Sequence, residues 1–178
     1  MEKIEPLDGL VNNAAISSPW ISSLDESKES LQNTMDINVM AAINITQSVG
    51  KKMVEAGKGG SIVNISSING IKPMRECMAY NVSKAALDMT TKQFALELGQ
   101  HKIRVNSVNP TVIMTDMGKE HWGKPGKADM LLLQTPLGRF GEINECTDLI
   151  EFLLSDNSTM ITGTTNPLEG GLLCNISV

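Results

Sequence analysis

The sequence predicts an α/β protein built on a mainly parallel sheet. Short β-rich runs alternate with helix-length segments, Gly and Asn-Asn punctuate the junctions, and 178 residues suit one domain of roughly 150. Leu7-Asp8-Gly9-Leu10-Val11-Asn12-Asn13 starts as a short apolar strand and ends on two turn-forming Asn. A Ser- and Pro-containing loop runs to Leu24. Asp25 and Glu26 then open a long helical stretch to about Glu55, closed by Gly57, with Val39, Ala42, Ile43, Thr46 and Val49 at helical spacing. Gly59 and Gly60 lead into the strand Ser61-Ile62-Val63-Asn64-Ile65-Ser66. Residues from about Ala79 to Leu98 read as a helix with Gly99 as its C′ stop.

Ile103-Arg104-Val105-Asn106-Ser107-Val108 alternates apolar and polar, and Pro110 closes it as a third strand. The stretch 111–145 offers only short helical pieces, such as Ala128 to Leu133. Cys146 to Leu154 reads as a compact apolar helix, and Gly163 to Leu168 as a last strand before Glu169-Gly170-Gly171. The eleven Met are expected to fill gaps in a core that has six aromatic residues to draw on. The helix to Leu98 is apolar on more than one face (Val82, Ala86, Met89, Phe94, Leu98), which a single packing layer does not need. It therefore predicts a subunit interface.

Composition removes several function classes. Hydrophobic residues make up 41%, enough for a core that hides about 70% of the unfolded surface. The net charge of −5 is scattered along the chain, so no basic footprint exists for nucleic acid or anionic lipid. No apolar run approaches the ~18 residues of a membrane span. Cys77, Cys146 and Cys174 are widely spaced and unpaired in pattern, and no secretory h-region opens the chain, so a cytoplasmic location with reduced thiols is expected. His101 and His121 are unaccompanied, so no metal is expected. Gly57-Lys58-Gly59-Gly60 precedes a strand instead of joining a strand to a helix, the wrong context for a phosphate loop.

The chemistry-bearing set is Ser67, Tyr80 and Lys84. Tyr80 and Lys84 stand at i and i+4 near a helix start, on one face. A phenol of pKa about 10 is a poor acid at neutral pH, and a cation within ~4–6 Å lowers it by about 1–3 units. Ser67 follows a strand, at the carboxyl edge where open α/β sheets bind ligands, and offers a hydroxyl to a substrate oxygen. Each residue has a plainer reading. Tyr-x-x-x-Lys is a common solvated helix face, Asn38 can bond its own helix backbone, and Ser67 and Thr115 can serve as turn or capping residues.

Together these residues carry a resemblance. Asn12-Asn13-Ala14-Ala15 after a strand resembles the NNAG element of the short-chain dehydrogenase/reductase family, with Ala15 where Gly is usual. Asn38 matches the family's helix Asn. Ser67, Tyr80 and Lys84 match its Ser and Tyr-x-x-x-Lys, thirteen residues separating Ser67 from Tyr80. Arg104 to Pro110 resembles the strand before its nicotinamide loop, with Thr111 where many members have Gly, and Thr115 matches the Thr of that loop.

The resemblance implies a Rossmann-like doubly wound parallel sheet carrying strands 4 to 7 of the family order. Residues 1–178 would be the C-terminal catalytic part of a single domain, without the Gly-rich cofactor half. It implies NADP(H) as cofactor and a small-molecule carbonyl substrate. Tyr80 would be the proton donor, Ser67 would orient the carbonyl, and Lys84 would lower the Tyr80 pKa and bond the nicotinamide ribose. Asn38 would hold a water that links Lys84 to solvent. Asn12 and Ala14 would line the adenosine side, and Val112 and Thr115 would meet the carboxamide. Runs such as Ala86-Leu87-Asp88-Met89 and Asn109-Pro110-Thr111-Val112 point to a subgroup that reduces small polar ketoses and α-dicarbonyls, with Trp122 and His121 as walls. A homo-oligomer, a tetramer in full-length form, is implied as well. For 178 residues alone, no turnover is expected, and a non-catalytic form acting through subunit association is the alternative.

Overall fold

A computed structural model describes residues 7–124 and 126–175. Its strands are β1 (Gly9–Asn12), β2 (Gly60–Ile65), β3 (Ile103–Pro110) and β4 (Thr165–Leu168). They form one sheet in the order β1-β2-β3-β4, every pair parallel. The helices are α1 (Lys28–Met35), α2 (Ala41–Ala56), α3 (Met78–Leu98), α4 (Asp116–Trp122), α5 (Asp129–Gln134) and α6 (Ile143–Leu154). Parallel pairing needs crossovers, and helices supply all three.

The two central strands are covered on both faces. On one face Ile62, Ile103 and Val105 pack with Met53 of α2 and Ala95 of α3. On the other, Val63 and Val108 pack with Leu153 of α6. This burial explains why the apolar–polar alternation of β3 does not mark a half-wet strand: the polar positions are buried too and are satisfied inside. Asn106 Nδ2, for example, donates to Ile161 O at 2.8 Å, and Asn106 Oδ1 accepts from the Thr164 amide and hydroxyl. β1 pairs with β2 alone among the described residues, and Leu7 and Val11 beside this edge are exposed.

Several boundaries differ from expectation for local reasons. The helix expected from Asp25 starts at Lys28, because Ser27 Oγ accepts from the Ser30 amide at 3.1 Å and caps it there. It is also interrupted by a π-helical turn, Asp36–Met40, between α1 and α2. Gly57 ends α2 in the left-handed conformation, φ 68°, as the Gly signal indicated. Gly99 does not end α3 in that way: its φ is −56°, the chain continues through a 3₁₀ turn, and Lys102 takes the left-handed position at φ 60°. α6 begins at Ile143, earlier than expected, because Glu142 and Glu145 form a reciprocal capping box. β4 begins at Thr165, since Gly163 turns at φ 71° first.

The methionines do not fill the core. Among the described residues Met53 alone is buried, whereas Met40, Met89, Met130 and Met160 are exposed. On α3, Val82, Met89 and Leu96 face outward. No helix among the described residues is long and apolar enough to cross a membrane.

Candidate active site

The carboxyl ends of β1, β2 and β3 border one cleft of about 650 Å³, within the range of cofactor and small-ligand sites. Ser67 stands on its wall just beyond β2, with extended backbone at φ −162° and ψ 157°. Its Oγ accepts from the Asn69 amide at 3.1 Å and caps the 3₁₀ turn Ile68–Gly70. The capping role is therefore real, and the same hydroxyl stands close enough to the Tyr80 phenol to pull its pKa down.

Tyr80 sits in the first turn of α3, half-buried against the cleft. Burial pushes its phenol above the ordinary value, the Ser67 hydrogen bond pulls it down, and Cys77 adds a further upward push. The lowering expected from Lys84 is outweighed here, since burial leaves the phenol above its ordinary value. Lys84 Nζ lies 5.5 Å from the Tyr80 ring centroid, over the ring and not at the hydroxyl, and it donates to Ile65 O at 2.9 Å. Lys84 is 2% exposed and is not among the residues that line the cleft. Burial lowers its ammonium to about 8, and the charge of Asp88 opposes that fall.

Asn38 occupies the π-helical turn, a geometry that recurs at functional sites. Its amide does not bond its own helix. Oδ1 accepts from the Ile16 amide at 2.8 Å, and Nδ2 donates to Ile16 O at 2.9 Å and to Ser83 Oγ at 3.0 Å. Ser83 Oγ in turn donates to the Tyr80 carbonyl at 2.8 Å. Asn38 thus ties the loop after β1 to the helix turn that carries Tyr80.

Asn12 corrects the expectation that it lines the cleft. Strand alternation turns its side chain inward, where Nδ2 donates to Thr46 Oγ1 at 2.9 Å and Asn64 Oδ1 at 2.7 Å. Asn13, Ala14 and Ala15 line the cleft in its place. Val112 and Thr115 line it as expected, and Thr115 also caps α4 by accepting from the Gly118 amide at 3.2 Å. Ala14 and Ala15 put small side chains on this wall and Thr115 a hydroxyl, and a cleft of about 650 Å³ has room for a flat heteroaromatic ring beside a small carbonyl compound. No Gly-rich turn joins a strand to a helix among the described residues, so backbone donors for phosphates are not supplied in that form.

Other wall residues were not evident in the sequence. Trp20 meets Trp122 edge-on at 5.8 Å between ring centroids, and Trp122 meets Phe140 at 6.2 Å. Cys77 also reaches the cleft, its thiol pushed up by burial and by Glu76 and Glu26. The side chain of His121, the other expected wall, lies outside the described residues. Proximity in sequence to Tyr80 was the available signal for Cys77; none linked Trp20 to Trp122 across so long a separation.

Comparison with known proteins agrees with this architecture. A family model described as enoyl-(acyl carrier protein) reductase matches residues 1–173. L-xylulose reductase of Mus musculus is 45% identical over 175 residues, covering 97% of this chain and 70% of the relative. Carbonyl reductase (NADPH) 2 of Sus scrofa is 40% identical over 172 residues, covering 96% of this chain and 69% of the relative. Among solved structures, a short-chain type dehydrogenase/reductase from Mycobacterium ulcerans superposes with a TM-score of 0.92 at 32% identity, covering 96% of this chain and 62% of that one.

Proposed function

The chain belongs to the short-chain dehydrogenase/reductase family of oxidoreductases, and on that premise we propose that it carries the catalytic residues of an NADP(H)-dependent carbonyl reductase. The observation that carries the reading is that the Ser67 and Tyr80 hydroxyl side chains line one cleft at the carboxyl edge of the sheet, with Lys84 Nζ 5.5 Å from the Tyr80 ring centroid. A nicotinamide cofactor, when bound, supplies the hydride to the carbonyl carbon. Val112 and Thr115 are the residues that would hold its ring end, and Ala14 would line its adenosine side. Ser67 Oγ donates to the substrate carbonyl oxygen and fixes its direction. Tyr80 gives its phenolic proton to the same oxygen as negative charge develops there. Lys84 supplies a positive charge behind the Tyr80 ring that eases the transient phenolate. Asn38 holds the Tyr80 turn in register through Ser83, and the water relay to Lys84 is assigned to the same segment.

The substrate class follows from wall chemistry. Trp20, Trp122, Met74 and Ile143 line the same cleft as the two hydroxyls and add apolar wall to it, which suits a compact uncharged carbonyl compound. α-Dicarbonyls and small ketoses fit this description, in line with the names of the mouse and pig relatives. NADPH is favoured over NADH by the pig relative's name. Exposed Val82, Met89 and Leu96 on α3 support self-association as a homo-oligomer, and the three free thiols support a reducing, cytoplasmic setting.

Because 178 residues span about 70% of the mouse relative, the test uses this chain extended at its N-terminus by the remainder of that relative. Diacetyl, L-xylulose and an acyl thioester are offered with NADPH and with NADH. Diacetyl or xylulose is expected to be turned over fastest, with NADPH. Faster turnover of the thioester would overturn the substrate assignment.

A further inference from the structure

Beneath Ser67 and Lys84 lies a buried polar cluster with no place in the mechanism above. Asp88, one helical turn beyond Lys84 on α3, is 6% exposed. Asn109 Nδ2 donates to both of its carboxylate oxygens, at 3.1 and 2.9 Å, and to the Ser67 carbonyl at 3.1 Å. Ser107 Oγ reaches Asp88 Oδ1 at 3.1 Å and Asn109 Oδ1 at 2.9 Å. The turn after Ser67 is pressed onto this group. A Cβ added to Gly70 would come within 2.6 Å of Asp88 Oδ2 and 2.8 Å of the Lys84 carbonyl carbon, so glycine alone permits the approach. Ser66 Oγ donates to the Lys84 carbonyl at 3.2 Å from the same side.

A buried carboxylate is costly unless it is paired. Among the described residues the one ion pair within 4.0 Å is Arg139–Glu145, so the hydrogen bonds that reach Asp88 come from neutral donors. An amide here would keep one acceptor oxygen and set its own N–H against Asn109 Nδ2, so the cluster uses both oxygens of a carboxylate. An amide also lacks negative charge, and the neighbour able to respond to that charge is Lys84.

We propose that Asp88 is a positioning residue for the site: its carboxylate clamps the Asn109 amide, and through it the Ser67 backbone, and sets a fixed negative charge one turn from Lys84. This rests on the reductase reading for its purpose, since Ser67 and Lys84 are the two groups it serves. Without Asp88, the buried ammonium would give up its proton more readily and lose its charge behind Tyr80. Besides Asp88, the groups that meet Lys84 are the Tyr80 ring, the Ile65 carbonyl that accepts from Nζ, and the neutral Ser66 hydroxyl on the Lys84 carbonyl. β2 carries no titratable side chain. β3 brings Ser107 and Asn109, while its Arg104 is bound at the strand's other end to the Leu153, Leu154 and Ser155 carbonyls. Lys28 and Glu29 of α1, Asp36 of the π turn and Lys51, Lys52 and Glu55 of α2 are exposed.

The test needs no turnover, so its failure is distinct from failure of the reductase reading. The lysine side chains of the 178-residue protein are followed by NMR as pH is raised, with Lys84 assigned as the signal missing from Lys84→Met. In Asp88→Asn the Lys84 midpoint is expected to fall by about one pH unit, the scale of one removed neighbouring charge. Ser107→Ala, which removes a neutral donor from the same cluster, should lower Tm and leave that midpoint where it was. A folded Asp88→Asn protein with an unmoved midpoint overturns the proposal, and so does a Ser107→Ala shift of equal size. Asp88→Glu is the variant to read if Asp88→Asn does not fold: the retained charge should keep the midpoint near the wild-type value although the hydrogen bonds to Asn109 are disturbed. A fall of about a unit in Asp88→Glu overturns the proposal.

Discussion

Lys84 should make this protein more stable as pH rises from about 8 toward 10. The ammonium is buried and its folded-state pKa is near 8, against 10.5 for an unhindered lysine. Between those values the unfolded chain still binds the proton and the folded chain has released it. The unfolded state thus holds more protons, and stability climbs with pH. The sign is that of a depressed cation: the penalty is full below about 8 and is relieved across the interval above it. Each unit of pKa difference is about 1.4 kcal/mol, so the climb from pH 8 to pH 10 is on the order of 2–3 kcal/mol. Cys77 and Cys146, whose thiols burial pushes up, act in the opposite direction over part of this range. Lys84→Met isolates the lysine, because the thiols are common to both proteins. Urea unfolding at several pH values should show the wild type gaining this amount relative to Lys84→Met. Parallel stability curves for the two proteins would refute the reasoning, since the buried ammonium would then carry no desolvation penalty.

Tyr80 is the sole tyrosine in the sequence, so tyrosinate absorbance reports on it directly. Ser67→Ala removes the neighbouring hydroxyl that lowers its pKa, and its ionisation should move up. An unmoved or lower midpoint would show that Ser67 does not hold the phenol. Asn38→Ala orphans the Ile16 amide and carbonyl and takes away the donor to Ser83 Oγ, and should cost about 2–3 kcal/mol in urea unfolding. A loss below about 0.5 kcal/mol would mean that the loop after β1 is held by other contacts.

The sheet was legible because its strands are short apolar runs between Gly, Asn and Pro punctuation. Ile62-Val63 and Val105 through Val108 sit where periodicity put them. The interruption of α1–α2 was not legible, because a π turn leaves the apolar spacing around Val39 and Ala42 intact. Gly99 misled because its composition signals a left-handed stop, whereas Lys102 carries that strain. At the site, Ser67, Tyr80 and Val112 reach one cleft as their order in the chain suggested. Asn12 does not, since strand alternation turns it into the core. The Asp88–Asn109–Ser107 cluster escaped notice because β3 reads as half-wet when its polar residues are in fact buried. Alternation in sequence cannot tell a solvated face from one covered by helices.

The most direct test of the account is proton delivery by Tyr80. In the chain extended by the remainder of the mouse relative, deuterated NADPH and diacetyl are supplied to the parent and to Tyr80→Phe, and deuterium in the product alcohol is counted alongside cofactor binding. The account predicts label on the carbinol carbon with the parent. With Tyr80→Phe it predicts a rate lower by far more than tenfold, a barrier rise well beyond ~1.4 kcal/mol, while cofactor affinity is kept. A Tyr80→Phe protein that binds NADPH and retains more than about a tenth of the parent rate would contradict it.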